Sequence, residues 1–349
     1  MLYRKNLDNM PSYDGVEKDY RIKVNANEST LNLPPLVAER VQSRLACVAF
    51  NRYPGEEYYS LVEQIAKNFS VKNEQILLGN GSSEIIEKIF YAFGAGKILY
   101  PVPSFSMYKI YAKAAETEGV EFLLDKNFDL DVDSFIEKII EVKPSLAVIC
   151  NPNNPTGNVL QVEQIEKILQ STSCALLLDE AYVEFFGKSA VNLVKKYPNL
   201  IVARTFSKAY GLAGARVGYM IASPEITKII SKTFMPYHLN TLSLVTADIV
   251  YQMRDEFIPR IQMIIAERKR LIDWLNNFPA LEVFPSQTNF ILIRLPQAND
   301  LNKYLESLGI GVRYFADDLL KNCLRISIGT RPENDEVFNA IKNFLEAGR

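Results

Sequence analysis

Between residues 75 and 222 two patterns of apolar positions alternate along the chain. Short runs of aliphatic and β-branched residues, at 75–78, 98–100, 120–124, 146–150, 175–178, 201–204 and 217–222, are separated by polar and turn-forming stretches and predict strands. Between them, 84–93, 106–116, 132–141 and 162–170 repeat apolar residues at spacings of three and four, the stripe a helix lays on a sheet. This alternation predicts an α/β domain whose mostly parallel, seven-stranded sheet is covered by helices. After Pro236 the pattern changes. A helical stretch over 241–278, broken near Pro259, is followed by a strand at 290–293, a helix at 301–308, a strand at 324–328 and a helix at 333–345, which predicts a smaller α+β domain. The first 30 residues carry no strong period and read as an arm packed on another element. The expected organisation is an arm over 1–30, a large α/β domain over 31–236 and a small C-terminal domain over 237–349.

Composition narrows the function. The balance of 39 Lys and Arg against 41 Asp and Glu, a net charge of -2 over 349 residues, supplies no electrostatic footprint for nucleic acid or an anionic membrane. The longest uninterrupted apolar run, 45–50, is far short of the roughly 20 residues a membrane helix needs. Cys47, Cys150, Cys174 and Cys323 form no C-x-x-C pair, so neither a zinc site nor a disulfide framework is expected. With a charged N-terminus that has no apolar segment behind it, they point to a reducing cytoplasm. His238 is the only histidine, which leaves at most one candidate for a His-based triad or a multi-histidine metal site; a structural or surface role is expected for it.

In α/β sheets ligands bind at the carboxyl ends of strands. Four of those ends carry unusual chemistry. The first reads Gly79-Asn80-Gly81-Ser82-Ser83-Glu84 and enters a helix, where exposed backbone N–H groups can hold a phosphate; Ser82 or Ser83 as a simple helix cap explains the same residues. A dinucleotide fingerprint fits less well, because its last glycine is missing and no acidic residue ends the next strand. The second, Asn151-Pro152-Asn153-Asn154-Pro155-Thr156-Gly157, has amides that can donate to a ligand oxygen. The third, Asp179-Glu180-Ala181-Tyr182, sets a carboxylate and a phenol three residues apart, or merely forms a turn or caps a helix. The fourth places Lys208 in a small-residue loop, Ser207-Lys208-Ala209-Tyr210-Gly211-Leu212-Ala213-Gly214-Ala215-Arg216. A lysine is ordinarily a solvated charge, but a desolvated amine is the natural partner of an aldehyde cofactor.

In order and spacing Asn154-Pro155-Thr156-Gly157, Asp179-Glu180-Ala181-Tyr182 and the Lys208 loop resemble the fold-type I aminotransferases that use pyridoxal 5'-phosphate. Asn25-Ala26-Asn27-Glu28, Arg52-Tyr53-Pro54, the 79–84 turn and Cys323-Leu324-Arg325-Ile326-Ser327-Ile328-Gly329-Thr330 extend the likeness to the histidinol-phosphate group of that family, over essentially the whole chain.

The resemblance implies ping-pong amino transfer between L-histidinol phosphate and 2-oxoglutarate, giving imidazole-acetol phosphate and L-glutamate, in histidine synthesis. Lys208 would bond the cofactor's aldehyde and then carry the Cα proton. Asp179 would face the pyridine nitrogen, and Asn154 and Tyr182 the phenolic oxygen. Gly81, Ser82, Ser83, Ser207 and Arg216 would grip the phosphate, and Phe105 would stack on the ring. Arg325 would take the substrate's carboxylate or phosphate. Tyr53 would reach from one subunit into the cofactor and substrate site of its partner in a homodimer. Asn27 would contact substrate, as would Tyr13, in a stretch reading Pro11-Ser12-Tyr13-Asp14-Gly15 where the family usually has Pro-Tyr-x-Gly; Asn25 and Glu28 belong to the same entrance. An aromatic amino-acid aminotransferase or a threonine-phosphate decarboxylase of the same fold would use the same cationic residues. A ligand-sensing domain on this fold would need a DNA-binding extension, and no basic stretch precedes residue 30.

Overall fold

The computed structural model describes Asp8, Met10 and residues 18–347. In chain order its main elements are β1 (Ile22–Lys23), α1 (Pro35–Leu45), α2 (Glu56–Phe69), β2 (Ile76–Gly79), α3 (Gly81–Phe93), β3 (Ile98–Val102), α4 (Met107–Ala114), β4 (Gly119–Leu123), α5 (Val132–Val142), β5 (Leu146–Cys150), α6 (Val162–Ser171), β6 (Ala175–Asp179), α7 (Val183–Phe186), β7 (Leu200–Thr205), β8 (Gly218–Ile221), α8 (Pro224–Ser231), α9 (Thr241–Gln252), α10 (Ile258–Leu275), β9 (Glu282–Val283), β10 (Phe290–Arg294), α11 (Ala298–Ser307), β11 (Ile310–Gly311), β12 (Arg313–Tyr314), β13 (Cys323–Ser327) and α12 (Arg331–Ala347).

Seven strands form one sheet in the order β2-β8-β7-β6-β5-β3-β4, parallel except for β8, which runs antiparallel to both neighbours. Its inner strands β5, β6 and β7 are buried along their whole length and apolar up to Asp179, Arg204 and Thr205 at the carboxyl ends of β6 and β7, because both faces are covered. Ala147, Ile149, Leu176, Leu178 and Val202 face a core shared with α1, α2, α5, α6 and α9, while Leu146, Val148, Leu177, Ile201 and Ala203 face α3, α4 and α8. The edge strand β4 alternates exposed and half-buried positions instead. The α/β architecture, the seven strands and the helical layers follow the expectation closely.

A second core forms where α10, α11 and α12 pack on the antiparallel sheet β12-β13-β10-β9. The segment before α1 joins this unit, because β1 pairs in parallel with β11 and buries Ile22 and Val24 in the same core. The helical stretch 241–278 breaks earlier than its proline: α9 ends at Gln252, a 3₁₀ turn spans Arg254–Phe257, and Pro259 lies in the first turn of α10, where no backbone donor is needed. The boundary expected at residue 236 lies ahead of α9, whose Leu244, Val245, Ala247 and Val250 pack into the large core, whereas Leu271 and Leu275 of α10 belong to the second. Among the described residues no helix is long and apolar enough to cross a membrane.

Candidate active site

The four strand ends singled out above open on one edge of the large sheet. At the end of β2, Gly81 takes a left-handed φ of 83° and starts α3. The guanidinium of Arg216 lies where a side chain at 81 would stand: a Cβ there would be 2.6 Å from Nη2. Gly218 is held as tightly, since its Cβ would come within 2.5 Å of the Ser82 nitrogen. A positive group thus sits against the N-terminus of a 13-residue helix, with Ser82 and Ser83 in its first turn. Ser207, buried at the end of β7, is turned there by its N–H, which donates to Thr205 Oγ1.

In the 151–157 loop only one of three asparagines faces the site. Asn151 closes on the backbone of Leu160, and Asn153 on Ser104, Thr156 and the Pro103 carbonyl. The Asn154 amide oxygen instead accepts from Arg325 Nη1 at 2.6 Å, although 171 residues separate the two in sequence. Arg325, half-buried in β13, also donates through Nη2 to the Asn25 carbonyl at 2.7 Å and lies over the Phe290 ring. Among the described residues its Nε and the Asn25 Oδ1 are buried without a partner.

Asp179 ends β6, buried and opposite Cys150 in register. Tyr108 Oη donates to its Oδ2 at 2.8 Å and the Ala181 N–H to its Oδ1 at 3.1 Å. Burial still raises its carboxyl to about 6 against these bonds. The Lys208 amine moves the other way, to about 8, because burial and then the cation of Arg325 disfavour its charge. Its Nζ donates to the Ala26 carbonyl at 3.1 Å and sits 5.9 Å from the centre of the Tyr182 ring. Tyr182 packs edge-on against Phe290, and its phenol is raised by burial. Phe105 stands edge-on to Tyr108 at the base of α4.

Lys208, Asp179, Asn154, Tyr182, Arg325 and Asn27 are therefore joined by direct contacts or charge interactions, with Gly81, Ser82, Ser83, Ser207 and Arg216 at the neighbouring strand ends. Tyr53 stands apart: it is 78% exposed and stacks on Tyr237 with centroids 4.5 Å apart. Glu28 forms an ion pair with Lys23. His238 lies between the carbonyls of Leu78 and Met235, tying the 235–238 loop to β2. Tyr13 is outside the described residues. Three participants escaped the sequence reading. Tyr108 lies three residues after Phe105 and Ser327 one strand repeat after Arg325, so both stood beside residues already singled out, whereas Arg313 meets Arg325 only through the pairing of β12 with β13, which no local signal announces.

Comparison with known proteins agrees with this geometry. The family described as aminotransferase class I and II matches residues 21–341. The histidinol-phosphate aminotransferase of Thermoanaerobacter sp. (strain X514) is 40% identical over 347 residues, covering 99% of each chain. That of Clostridium novyi (strain NT) is 37% identical over 343 residues, covering 98% of this chain and 96% of the other. The crystal structure of histidinol-phosphate aminotransferase from Sinorhizobium meliloti in complex with pyridoxal-5'-phosphate superposes with a TM-score of 0.90 at 21% identity, covering 99% of this chain and 98% of that one. With the matched region spanning both cores and every strand end of the site, the chain belongs to the aminotransferase class I and II family.

Proposed function

We propose that this protein transfers the amino group between L-histidinol phosphate and 2-oxoglutarate, using pyridoxal 5'-phosphate. The observation that carries the substrate is the end-to-end likeness, 40% identity with 99% coverage of both chains, to a histidinol-phosphate aminotransferase. Support for the cofactor comes from the donor set. A partly desolvated amine (Lys208) and a buried carboxyl held by two donors (Asp179) lie beside a helix N-terminus where Gly81 leaves room for the Arg216 guanidinium. Two orphaned polar atoms, Arg325 Nε and Asn25 Oδ1, fit a ligand that brings both acceptors and donors.

When bound, the cofactor supplies an aldehyde for amines and an electron-accepting ring. This chain's side chains do the rest. Gly81, Ser82, Ser83, Ser207 and Arg216 hold the phosphate on aligned N–H dipoles and a planar cation. Asp179, ionised above about pH 6, keeps a proton on the ring nitrogen. Asn154 and Tyr182 address the phenolic oxygen, and Phe105 covers the ring. Lys208 Nζ, a neutral base above about pH 8, takes and returns the proton at the substrate's Cα. Arg325, with Arg313 across the strand pair, receives the substrate's phosphate or carboxylate.

We place the enzyme in the cytoplasm as a homodimer in which Tyr53 enters the partner's site. Exposed Phe50, Tyr53, Tyr59, Met235 and Tyr237, on the segments around α2 and ahead of α9, support that surface. The test is a substrate profile of the cofactor-loaded protein. Turnover of histidinol phosphate well above phenylalanine and threonine phosphate is expected, with borohydride fixing the cofactor on Lys208 and Lys208→Ala inactive. Preference for phenylalanine, or carbon dioxide release from threonine phosphate, would overturn the reading.

A further inference from the structure

The segment 25–27 touches three site residues in succession. The Asn25 carbonyl accepts from Arg325, the Ala26 carbonyl from Lys208, and the Asn27 side chain donates to Tyr182. Asn27 is 1% exposed and adopts a left-handed φ of 55°, a conformation asparagine tolerates and most side chains avoid. Its main chain is fixed from the small unit: its N–H donates to Ser327 Oγ at 2.9 Å and its carbonyl accepts from Asn289 Nδ2 at 3.1 Å.

The side-chain bonds run in one direction. Ser327 Oγ takes the Asn27 N–H, so its own proton is free to go to Asn27 Oδ1, 3.0 Å away. That bond settles which end of the amide faces which way, leaving Nδ2 to donate to Tyr182 Oη at 3.0 Å. With its acceptor side occupied, the phenol keeps its proton for another acceptor, and among the described residues it donates to none. We propose that Asn27 and Ser327 are positioning residues: a hydrogen-bond relay across the junction of the two units that aims the Tyr182 proton at the cofactor's phenolic oxygen. The relay rests on the cofactor reading above. It also makes that oxygen's environment depend on the seating of the small unit, since Ser327 lies in β13 and Tyr182 follows β6. A phenol that accepts a hydrogen bond is a stronger donor, so loss of either relay member weakens what Tyr182 gives.

The test is a spectrophotometric pH titration of the visible band of the cofactor-loaded protein, in wild type, Asn27→Gly, Ser327→Ala and Tyr182→Phe. Both relay variants are uncharged, and glycine keeps the left-handed backbone at 27. Titratable groups facing Tyr182, namely Arg325, Cys150, Asp179 and Lys208, stay in place. A donor to the phenolic oxygen spreads its negative charge, so a weaker donor leaves it holding the neighbouring imine proton more tightly. Asn27→Gly and Ser327→Ala should each raise the midpoint by roughly half a pH unit, Tyr182→Phe by more, and neither relay variant should add to Tyr182→Phe. An unchanged midpoint, or a rise that persists with Phe at 182, overturns the relay; Ser327→Ala decides alone if Asn27→Gly does not fold. A wild-type protein that takes up no cofactor would overturn the proposed function and the relay together, whereas a loaded wild type with unshifted variants removes the relay only.

Discussion

Water has been taken from Lys208 and Asp179 alike, and their ionisations are displaced in opposite senses for that one reason. Asp179 lets the consequence for stability be worked out. Its folded carboxyl stands near 6 against 3.8 in the open chain, so between those values the native state holds more protons than the unfolded one, and stability falls as pH rises. Above about pH 6 the full cost remains, on the order of 2–3 kcal/mol from the size of the displacement. Asp179→Asn keeps an oxygen for Tyr108 or the Ala181 N–H and carries no charge. In urea unfolding of the cofactor-free protein at pH 7 it should be more stable than wild type by about that amount, and equally stable near pH 3.5. Its transamination should fall by two or more orders of magnitude, because nothing then holds a proton on the ring nitrogen. A destabilised Asp179→Asn at pH 7 would mean that the Tyr108 and Ala181 bonds satisfy the carboxylate in full.

At the scale of elements, the turn from β2 into α3 depends on one missing side chain. Gly81→Ala would set a methyl 2.6 Å from the Arg216 guanidinium in a left-handed conformation. The helix itself is anchored by Ile85, Ile86, Ile89 and Phe90, all fully buried, so the cost to folding should stay within about 1–3 kcal/mol. Cofactor affinity, measured by equilibrium dialysis, should drop tenfold or more as Arg216 is displaced; unchanged affinity would separate this turn from phosphate binding. The turn was legible in the sequence because its glycines and serines are adjacent, as were the strands, whose unbroken apolar runs announce burial on both faces. Other elements lacked such a signature. Strands β9, β11 and β12 have two residues each and exist only through pairing with distant partners. The amphipathic α1 and α2 fall in 31–75, for which the alternation further along predicts nothing, and they become evident once α9 closes over them. The site divides likewise. Motif residues on single strand ends could be found, but Asn27 with Ser327 and Asn154 with Arg325 are joined across 300 and 171 residues, which local periodicity cannot see.

For the whole molecule the proposed dimer turns on whether Tyr53 serves the site of its own chain or that of a partner. Within one chain Tyr53 is 78% exposed, stacked on Tyr237 and joined to none of the cofactor-facing residues by a hydrogen bond or ring contact among the described residues. An aromatic pair standing in water on an otherwise well-packed unit is the pattern of an interface awaiting its partner. If Tyr53 acts across a two-fold interface, each site takes Lys208 from one protomer and Tyr53 from the other. Two defective proteins can then complement each other. Lys208→Ala and Tyr53→Phe homodimers each carry one fault in both sites. In a mixed dimer both faults fall in the same site, and the other site is wild type. Equal amounts, dissociated and reassociated at random, give half heterodimers with one sound site in two, so about a quarter of wild-type activity should return. The residual activity of the Tyr53→Phe homodimer sets the baseline. Were Tyr53 to serve the site of its own chain, mixing would place one fault in each site and restore nothing, while light scattering would still report a dimer. Recovery near a quarter therefore establishes both the dimer and the crossing of Tyr53, and a mixture no more active than its parts refutes the crossing without touching the chemistry assigned to Lys208.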